Sequence, residues 1–474
     1  MYRIQQLVSV FLQLVVGVFE VFKTAGNFEE LEERVQRLVQ QTTAALIKMT
    51  IEEIDHRLAE EREKSRFDNL GKRERTIVTS AGEISFERRY YRDKTTEKNI
   101  FLLDETLGLA PGKRVSPRLN KMMLEMGVEM PFRKASTLIE HLVPGISAMS
   151  IWHEVQRSGT KARQEAQEIT REVFEDGVIP EGKIEAKQLN IEADGVMIRQ
   201  QRNKKRYAEV KLFVGYDGKE GKPKRLTNRR SVAGVGDSEA MWEETSAKFG
   251  HEWKLTEKSE VKIGGDGAEW IKEGLEIFPQ ASYHLDSFHL RKRLTESLSF
   301  SSKHYQTVCE QIASLNRDGL EKSLAEAMKA ATDKAKRKRV GELYSYLMNN
   351  WEGISNVPKE ERMGTIEGQV RHTIARRMKR IGARWTPAGT DHMARLLAAR
   401  ANNELDRYAS HYRNIDRERL ARVMPVNIVK QKPTQKDWSE WLAAEIPALY
   451  GPESDKMWIK YVLRGISRIN AMTA

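Results

Sequence analysis

The sequence contains a single cysteine, Cys309, among 474 residues. One thiol cannot form a disulfide within the chain, and a structural zinc site of the cysteine type needs several. The composition therefore excludes a disulfide framework and a cysteine-ligated metal cluster. It is typical of a protein in a reducing compartment, so we expect a cytoplasmic location.

Long apolar runs are also scarce. The best candidate is residues 7–22, which Gln13 and Glu20 interrupt. It is short for a membrane span, only Arg3 precedes it as a basic residue, and no small-residue cleavage site is clear. We expect a helix that packs against a partner or its own domain, and no membrane association.

The sequence contains no motif for nucleotide hydrolysis or for covalent nucleophilic catalysis. A glycine-rich loop of the Walker type is absent, which argues against nucleotide hydrolysis as an energy source. No constellation of a nucleophilic Ser or Cys with a base stands out, which argues against a covalent enzyme intermediate.

Positive charge is abundant instead. Lys and Arg number 80 against 68 Asp and Glu, which gives a net charge of +12. Such an excess points to a polyanionic partner, most often nucleic acid. The alternative is a generally basic protein without such a partner.

Hydrophobic patterning divides the chain into six segments. The length alone suggests two to four domains. The segments are an N-terminal helical region with a possible role in dimerisation (1–66), a DNA-binding region with a hairpin and a helix-turn-helix-like part (67–186), the first part of an α/β core (187–290), an all-helical insertion (291–362), a helix that closes the core (363–400) and a C-terminal helical region (401–474).

Residues 75–93 predict a β-hairpin with its turn at Ala81-Gly82. Arg88 and Arg89 in the second run are interleaved with aromatic residues, a pattern that suits a nucleic-acid backbone. The alternative is an edge strand with solvated arginines.

A helix-turn-helix outline follows. Residues 131–143 and 147–157 predict two helices joined by Pro144-Gly145, and 160–186 predict a further helix and a connector. The second helix of such a corner is available for a DNA major groove, although many helical domains contain the same corner.

From residue 187 the pattern changes to strands. Asp194 lies in the middle of an apolar run, residues 188–198. A carboxylate in a central strand is costly to bury unless a cation neutralises it, and a metal ion is the usual solution. The alternatives are a strand-end Asp that meets solvent, and Glu192 as the functional acid, since it shares a strand face with Asp194.

The order of elements predicts the fold class. Three strands with short connections precede a helix, a strand, a helix and a strand, which is the order of a ribonuclease H-like α/β core. In that fold the first and fourth strands are parallel neighbours, so Asp194 in the first strand and Asp266 at the C-terminal end of the fourth would face each other. The expected strands are 188–198, 206–216, 227–235, 258–266 and 281–290, and the expected helices are 237–249 and 267–278.

Residues 364–384 predict a helix that buries one face on the sheet. We expect this face to carry Glu367 toward the buried side near the helix start. The alternatives are a Glu that merely favours a helix N-terminus, or another acid from the looser sequence before it. The residues that share the face are Glu367, Val370, Ile374, Met378 and Ile381, and the competing acids are Glu352, Glu360 and Glu361.

The other faces of this helix are basic. They suit a phosphate backbone, and Trp385 beyond the helix could stack on an unpaired base, with core packing as the alternative. The basic residues are Arg371, Arg376, Arg377, Lys379 and Arg380.

Asp194, Asp266 and Glu367 together offer hard oxygen ligands for two Mg²⁺ or Mn²⁺ ions. Two such ions about 4 Å apart activate a water or a 3′-hydroxyl and stabilise the leaving oxygen during in-line attack on phosphorus.

Four stretches resemble bacterial insertion-sequence transposases of the ISLre-two family, long catalogued as an uncharacterised family and related in its core to Mutator-type transposases. They are residues 74–93, 191–198, 263–294 and 364–396. The resemblance implies a DDE transposase that binds the ends of its element, cleaves them and joins them to target DNA. By position it implies Asp194, Asp266 and Glu367 as the catalytic, metal-binding acids, with two Mg²⁺ or Mn²⁺ ions per active site.

The resemblance also assigns supporting parts. Asp286 and His289 match the D-x-x-H element of Mutator-type relatives, which supports the active site without binding metal directly. The implied partners are double-stranded DNA, as terminal inverted repeats and target, and further copies of the chain in at least a homodimer associated with the bacterial nucleoid. The competing hypotheses are another ribonuclease H-like nuclease and a catalytically inactive, transposase-derived DNA-binding protein.

Overall fold

The N-terminal region is a long helical hairpin, as the apolar spacing predicts. Helix α1 (Tyr2–Thr24) and helix α2 (Phe28–Glu61) are joined at Asn27, whose side chain accepts a hydrogen bond from the Glu30 N–H over 2.9 Å. Gly17 of α1 lies directly against Leu38 of α2. The structure is a computed structural model, and it describes residues 2–222, 224–278, 280–356, 363–379, 382–409, 414–424 and 456.

The chain's own fold covers only part of the apolar helix α1. Its outer face stays exposed, so burial within its own domain is not what the structure shows. Over the described residues, no helix is both long enough and apolar enough to cross a membrane. The exposed apolar residues of α1 are Val8, Phe11, Leu12, Val15, Val16, Phe19 and Phe22.

The predicted hairpin is present and is the main part of a three-stranded sheet of order β1-β2-β3. Thr79 pairs with Gly82 across the turn, and Gly82 has a φ of 109°, which favours glycine. The elements of this region are β1 (Phe67–Thr79), β2 (Gly82–Asp93), β3 (Lys98–Ile100), α3 (Leu102–Thr106), α4 (Pro117–Glu129), α5 (Phe132–Glu140) and α6 (Ala148–Phe174).

Helix α6 corrects one prediction. It runs unbroken through Gly159, whereas the sequence pattern suggested one helix over 147–157 and a separate helix, followed by a connector, within 160–186. The reason for the glycine is packing, because a Cβ at Gly159 would lie 2.2 Å from the Cβ of His392 on another helix.

A five-stranded sheet forms the core, with strand order β12-β11-β5-β6-β9. Strand β5 pairs in parallel with β11, as expected for the first and fourth strands, and β11 pairs in parallel with β12. Strand β6 is antiparallel to both β5 and β9. The elements are β4 (Ile184–Glu185), β5 (Gln188–Arg199), β6 (Tyr207–Tyr216), β7 (Gly218–Glu220), β8 (Arg225–Thr227), β9 (Arg230–Gly234), α7 (Ser238–Gly250), β10 (Trp253–Lys254), β11 (Glu260–Gly265), α8 (Glu269–Lys272), α9 (Gly274–Ile277) and β12 (Ala281–Leu285).

The remaining described elements are helical. The predicted helix over 364–384 contains a π-helical turn at Arg371–Ala375, and Ile381 lies outside the described residues. The helices are α10 (Ser287–Leu298), α11 (Ser302–Ala313), α12 (Arg317–Ala330), α13 (Lys334–Asn349), α14 (Trp351–Ser355), α15 (Ile366–Val370), α16 (Arg376–Met378), α17 (Pro387–Ala401), α18 (Asp406–Ala409) and α19 (Arg417–Val423).

Two predictions about the sheet need correction. Strand β12 ends at Leu285 and not at residue 290, because Asp286 accepts a hydrogen bond from the Phe288 N–H and starts helix α10. The predicted helix 267–278 is two short helices, α8 and α9. The β7–β8 hairpin was not predicted.

Alternate residues of the central strand pack on opposite faces of the sheet. Ile191 belongs to a core cluster with Phe213 and Trp242. Val196 belongs to the other cluster, with Ile374 and residues of α17. Glu192 and Asp194 share the parity of Val196, so they face the side where α15 lies.

Contacts divide the chain into a unit of residues 1–417 and a unit of residues 418–474. The sheet and every helix up to α18 belong to the first unit. In the second unit the structure describes residues 418–424 and 456, so most of the predicted segment 401–474 lies outside the described residues.

Two helical glycines should respond oppositely to alanine. We expect Gly159→Ala to lower the free energy of unfolding by about 1–3 kcal/mol, because the new methyl group would overlap His392. We expect Gly341→Ala on α13 to raise it by up to about 1 kcal/mol, because only Met328 lies near, at 3.6 Å, and alanine favours the helix. Chemical denaturation measures both changes, and equal effects at the two sites would contradict this packing.

Candidate metal centre

Asp194 lies near the middle of β5 and is 9% exposed. One carboxylate oxygen accepts a hydrogen bond from the Gly195 N–H over 2.7 Å. Burial, together with the negative charges of Asp266 and Glu367, raises the pKa of Asp194 to about 6. A bound cation would relieve this unfavourable environment.

Asp266 directly follows the last residue of β11, and its side chain lines a cavity together with Asp194. Its side chain accepts from the Ala268 N–H over 3.0 Å, and its carbonyl oxygen accepts from the Tyr346 hydroxyl over 2.8 Å. Gly267 next to it has a φ of 99°. Tyr346 belongs to α13, so the helical insertion fixes the turn that presents this acid.

Glu367 lies in the first turn of α15 and is exposed, which corrects the expectation that the helix buries it. It nevertheless points to the other acids. One oxygen each of Glu367 and Asp194 and one ring nitrogen of His289 all lie within 4.8 Å of one another. The side chain is exposed because this side of the site opens to solvent.

These side chains line a cavity of about 590 Å³. Its walls carry Asp194 from the middle of β5, Asp266 from the end of the parallel neighbour β11 and Glu367 from α15, together with a set of cations. Such a mixture suits a site in which metal ligands lie beside a phosphate. The charged lining residues are Asp194, Asp266, Glu296, Glu367, Lys292, Arg293, Arg371 and Lys379, with His289.

Asp286 holds His289 toward the cavity. The two side chains are 3.0 Å apart, and Asp286 is 3% exposed. The hydrogen bond that His289 donates to the Asp286 carboxylate raises the pKa of His289, whereas burial lowers it. Since Asp286 engages Nδ1, Nε2 is the ring nitrogen left to face the acids. His289 is thus in the first turn of α10 and not on a strand, and its supporting role stays a prediction.

Glu192 has a different role from Asp194. From the sequence it was considered only as the alternative to Asp194 as the functional acid. One of its oxygens accepts from the backbone N–H groups of Gly364, Thr365 and Ile366 at 3.0, 2.7 and 2.9 Å. The other accepts from the hydroxyls of Thr365 and Tyr216 at 2.9 and 2.6 Å. Glu192 therefore caps the helix that carries Glu367 and fastens it to the central strand.

The predicted basic stripe is only partly at the site. Arg371 and Lys379 line the cavity, and Arg376 is exposed beside Arg371 in a neighbouring cavity. Arg380 lies outside the described residues. Lys292 and Arg293 on α10 were missed, although the basic run directly after His289 was a usable signal.

Arg377 and Trp385 are not where a DNA contact would need them. Arg377 is 6% exposed, donates to the Gly127 carbonyl over 3.0 Å and lies over the rings of Phe132 and Trp385. Trp385 is 7% exposed and donates to the Met378 carbonyl over 3.1 Å. Both pack in the core, and Arg377 lies at helical spacing from the buried residues Ile366, Val370 and Thr373.

The hairpin arginines are likewise engaged within the fold. Arg88 pairs with Asp104 at 2.8 Å and lies 3.3 Å from the centre of the Phe101 ring. Arg89 pairs with Asp55 at 2.7 Å and ties the hairpin to α2. The prediction of solvent-facing arginines for nucleic acid is therefore not what the structure shows.

The donor set suits a hard divalent cation. Asp194 and Glu367 can each supply one carboxylate oxygen, and His289 can supply one ring nitrogen. Asp266 adds a third carboxylate in the same cavity. Burial and the neighbouring acids raise the pKa of Asp194, and a cation bound here would lower it.

The cap at Glu192 yields a test. We expect Glu192→Gln to lower the free energy of unfolding by about 3 kcal/mol, because an amide NH₂ would face buried N–H donors that lose an acceptor. Glu257→Gln, at an exposed position, is the control and should be neutral. Denaturant titration of both variants decides, and an unchanged midpoint for Glu192→Gln would rule out the cap.

Comparisons with known proteins place this chain in a family. A model of an uncharacterised protein family, UPF0236, matches residues 22–413. A UPF0236 protein of Caldanaerobacter subterraneus subsp. tengcongensis is 27% identical over 394 residues, which cover 81% of this chain and 80% of the relative. A UPF0236 protein of Streptococcus gallolyticus, described as lying in the vanSb 3′ region, is 27% identical over 421 residues, or 85% of this chain and 89% of that protein. The chain belongs to the uncharacterised protein family UPF0236.

Proposed function

We propose that this protein is a DDE-type DNA transposase, which binds the ends of an insertion sequence and catalyses metal-dependent DNA cleavage and strand transfer. The observation that carries the proposal is the joint placement of Asp194, Asp266 and Glu367 in one cavity with a basic rim. Acids that hold metal, next to cations that hold phosphate, are what phosphodiester chemistry requires.

The sheet supports a ribonuclease H-like core as part of this proposal. Its order places β5 between β11 and β6, with β5 and β11 parallel and β6 antiparallel. Asp194 on β5 and Asp266 just after β11 are therefore brought to neighbouring strands, and α15 adds Glu367 from a distant part of the chain.

Asp194, Glu367 and Asp266 would hold Mg²⁺ or Mn²⁺, and the resemblance implies two ions. When bound, such ions activate the attacking oxygen and stabilise the leaving oxygen at phosphorus. The chain's own cations, Lys292 and Arg371 among them, would orient the phosphate, and Asp286 would fix the imidazole of His289.

The substrate in this proposal is double-stranded DNA. The chain's net charge of +12 favours a polyanion, and the cations on the cavity wall favour a phosphate backbone at this site. We infer terminal inverted repeats and target DNA as the two duplexes, held by at least a dimer, since joining two ends needs two active sites.

The relatives add one independent line of support. The name of one Caldanaerobacter relative carries eleven locus designations from one organism, and the name of another carries four. Proteins encoded at many loci of one genome fit the product of an element that copies or moves itself.

The proposal predicts which acids are indispensable. We expect Asp194→Asn and Glu367→Gln each to reduce Mg²⁺-dependent cleavage of DNA that carries the element's ends by more than about 100-fold, because each removes a charged ligand. Binding of the same DNA should be largely kept. Glu269→Gln, an exposed acid on the nearby helix α8, is the matched control and should cleave normally.

Gel-based cleavage and mobility-shift assays measure both properties. Full cleavage by either ligand variant would remove that residue from the site. Equal loss of binding and cleavage would assign these acids to folding.

A further inference from the structure

A second cavity lies on the other side of helix α15 from the acids. It has a volume of about 850 Å³, and its wall includes the β7–β8 hairpin, the start of α15 and the end of α17. Thr365, directly before α15, and Gln369 of α15 line this cavity. Glu367 and Val370 of the same helix line the cavity that contains the three acids. The two cavities therefore share one short helix as their common wall.

The charge of the second cavity is positive. Five cations and no carboxylate occur among its described lining residues. Asp217 at the base of the hairpin accepts hydrogen bonds from Thr227 and Asn228, which engages its carboxylate inside the hairpin. The lining cations are Lys219, Lys224, Arg225, Arg229 and Arg230.

These cations differ in how they are held. Arg230 pairs with Glu252 at 3.1 Å. Within the described part of the chain, Lys224, Arg225 and Arg229 have no carboxylate oxygen within 4.0 Å. Lys224 and Arg225 are exposed on the hairpin, so positive charge is presented to solvent without a neutralising partner.

Arg229 is the fixed part of the cavity. Its guanidinium donates to the Gln369 side chain over 3.0 Å and to the Ala401 carbonyl over 2.5 Å. Burial, and then the neighbouring Arg230, lowers the pKa of Arg229. A half-buried cation held only by neutral acceptors is one that an anion would stabilise.

We propose that this cavity is a second nucleic-acid site, which binds the sugar-phosphate backbone of a strand beside helix α15. Several cations without carboxylate partners, spread over a hairpin and a fixed arginine, suit a row of phosphates better than one small anion. The inference rests on the proposed function in one respect, that the protein's ligand is nucleic acid.

The site has a consequence for the acidic cavity. Arg229 donates a hydrogen bond to Gln369, which lies two residues after Glu367 on the same helix. A phosphate bound by Arg229 would therefore lie next to this contact. Thr365 at the helix start also lines this cavity and donates to Glu192. A strand bound here is thus in contact with the same helix turn that presents the third acid.

Salt dependence of binding tests the site. We expect Lys224→Ala/Arg225→Ala to reduce the slope of log Kobs against log salt by about 2 for a 30-base-pair duplex, and by slightly less for a single strand of equal length, because each lost phosphate contact removes about one released counterion. The matched control is Lys322→Ala/Lys329→Ala on α12, two exposed lysines with the same total charge, which should leave the slope unchanged.

The outcomes separate this site from the proposed function. An unchanged slope in the hairpin variant, with cleavage intact, overturns the second site and leaves the transposase proposal standing. An equal fall in both double variants also overturns it, since the effect would then be one of overall charge. A reduced slope only in the hairpin variant supports the site even if the wild-type protein does not cleave. A wild-type protein that binds neither duplex nor single strand overturns both.

Discussion

One buried carboxylate, Glu192, determines how the candidate site is assembled. It is 1% exposed, and five hydrogen-bond donors from the start of α15 and from Tyr216 surround it. A buried charge is tolerated only when donors satisfy it, so the helix start and the strand must stay together. Because Glu367 lies one residue after Ile366, this contact also sets where the third acid points.

The two acids of β5, Glu192 and Asp194, therefore have different roles. Both face the same side of the sheet, two residues apart, yet hydrogen-bond donors of the protein satisfy Glu192, whereas Asp194 lies beside other acids and has a raised pKa. The first arrangement is structural, and the second is the one that the proposed metal ions would complete. The parallel neighbour β11 supplies Asp266 at its end, and the helical insertion fixes that end through Tyr346. Residues far apart in the chain thus converge on one cavity.

Sequence patterns predicted what depends on local periodicity. The strand around Asp194 and the burial of Val370, Ile374 and Met378 follow from alternation or helical spacing, whereas the parallel pairing of this strand with the strand before Asp266 was expected from the order of elements. Features that depend on tertiary contacts were missed. Arg377 was placed on an exposed stripe although it shares the buried face of the helix with Val370. Arg88 and Arg89 were assigned to nucleic acid because their partners, Asp104 and Asp55, come from other elements. The cap by Glu192 joins residues 172 to 174 positions apart, beyond any local pattern.

The most direct test of the account is strand joining. Purified protein would be incubated with labelled DNA whose 3′ ends are already cut at the element boundary, together with a target duplex, in Mg²⁺ or in EDTA. The account predicts covalently joined product in Mg²⁺ and none in EDTA. Nicking without any joined product would contradict a transposase and indicate another nuclease with the same acids. Specific binding without either reaction would contradict the assignment of this cavity as a catalytic site.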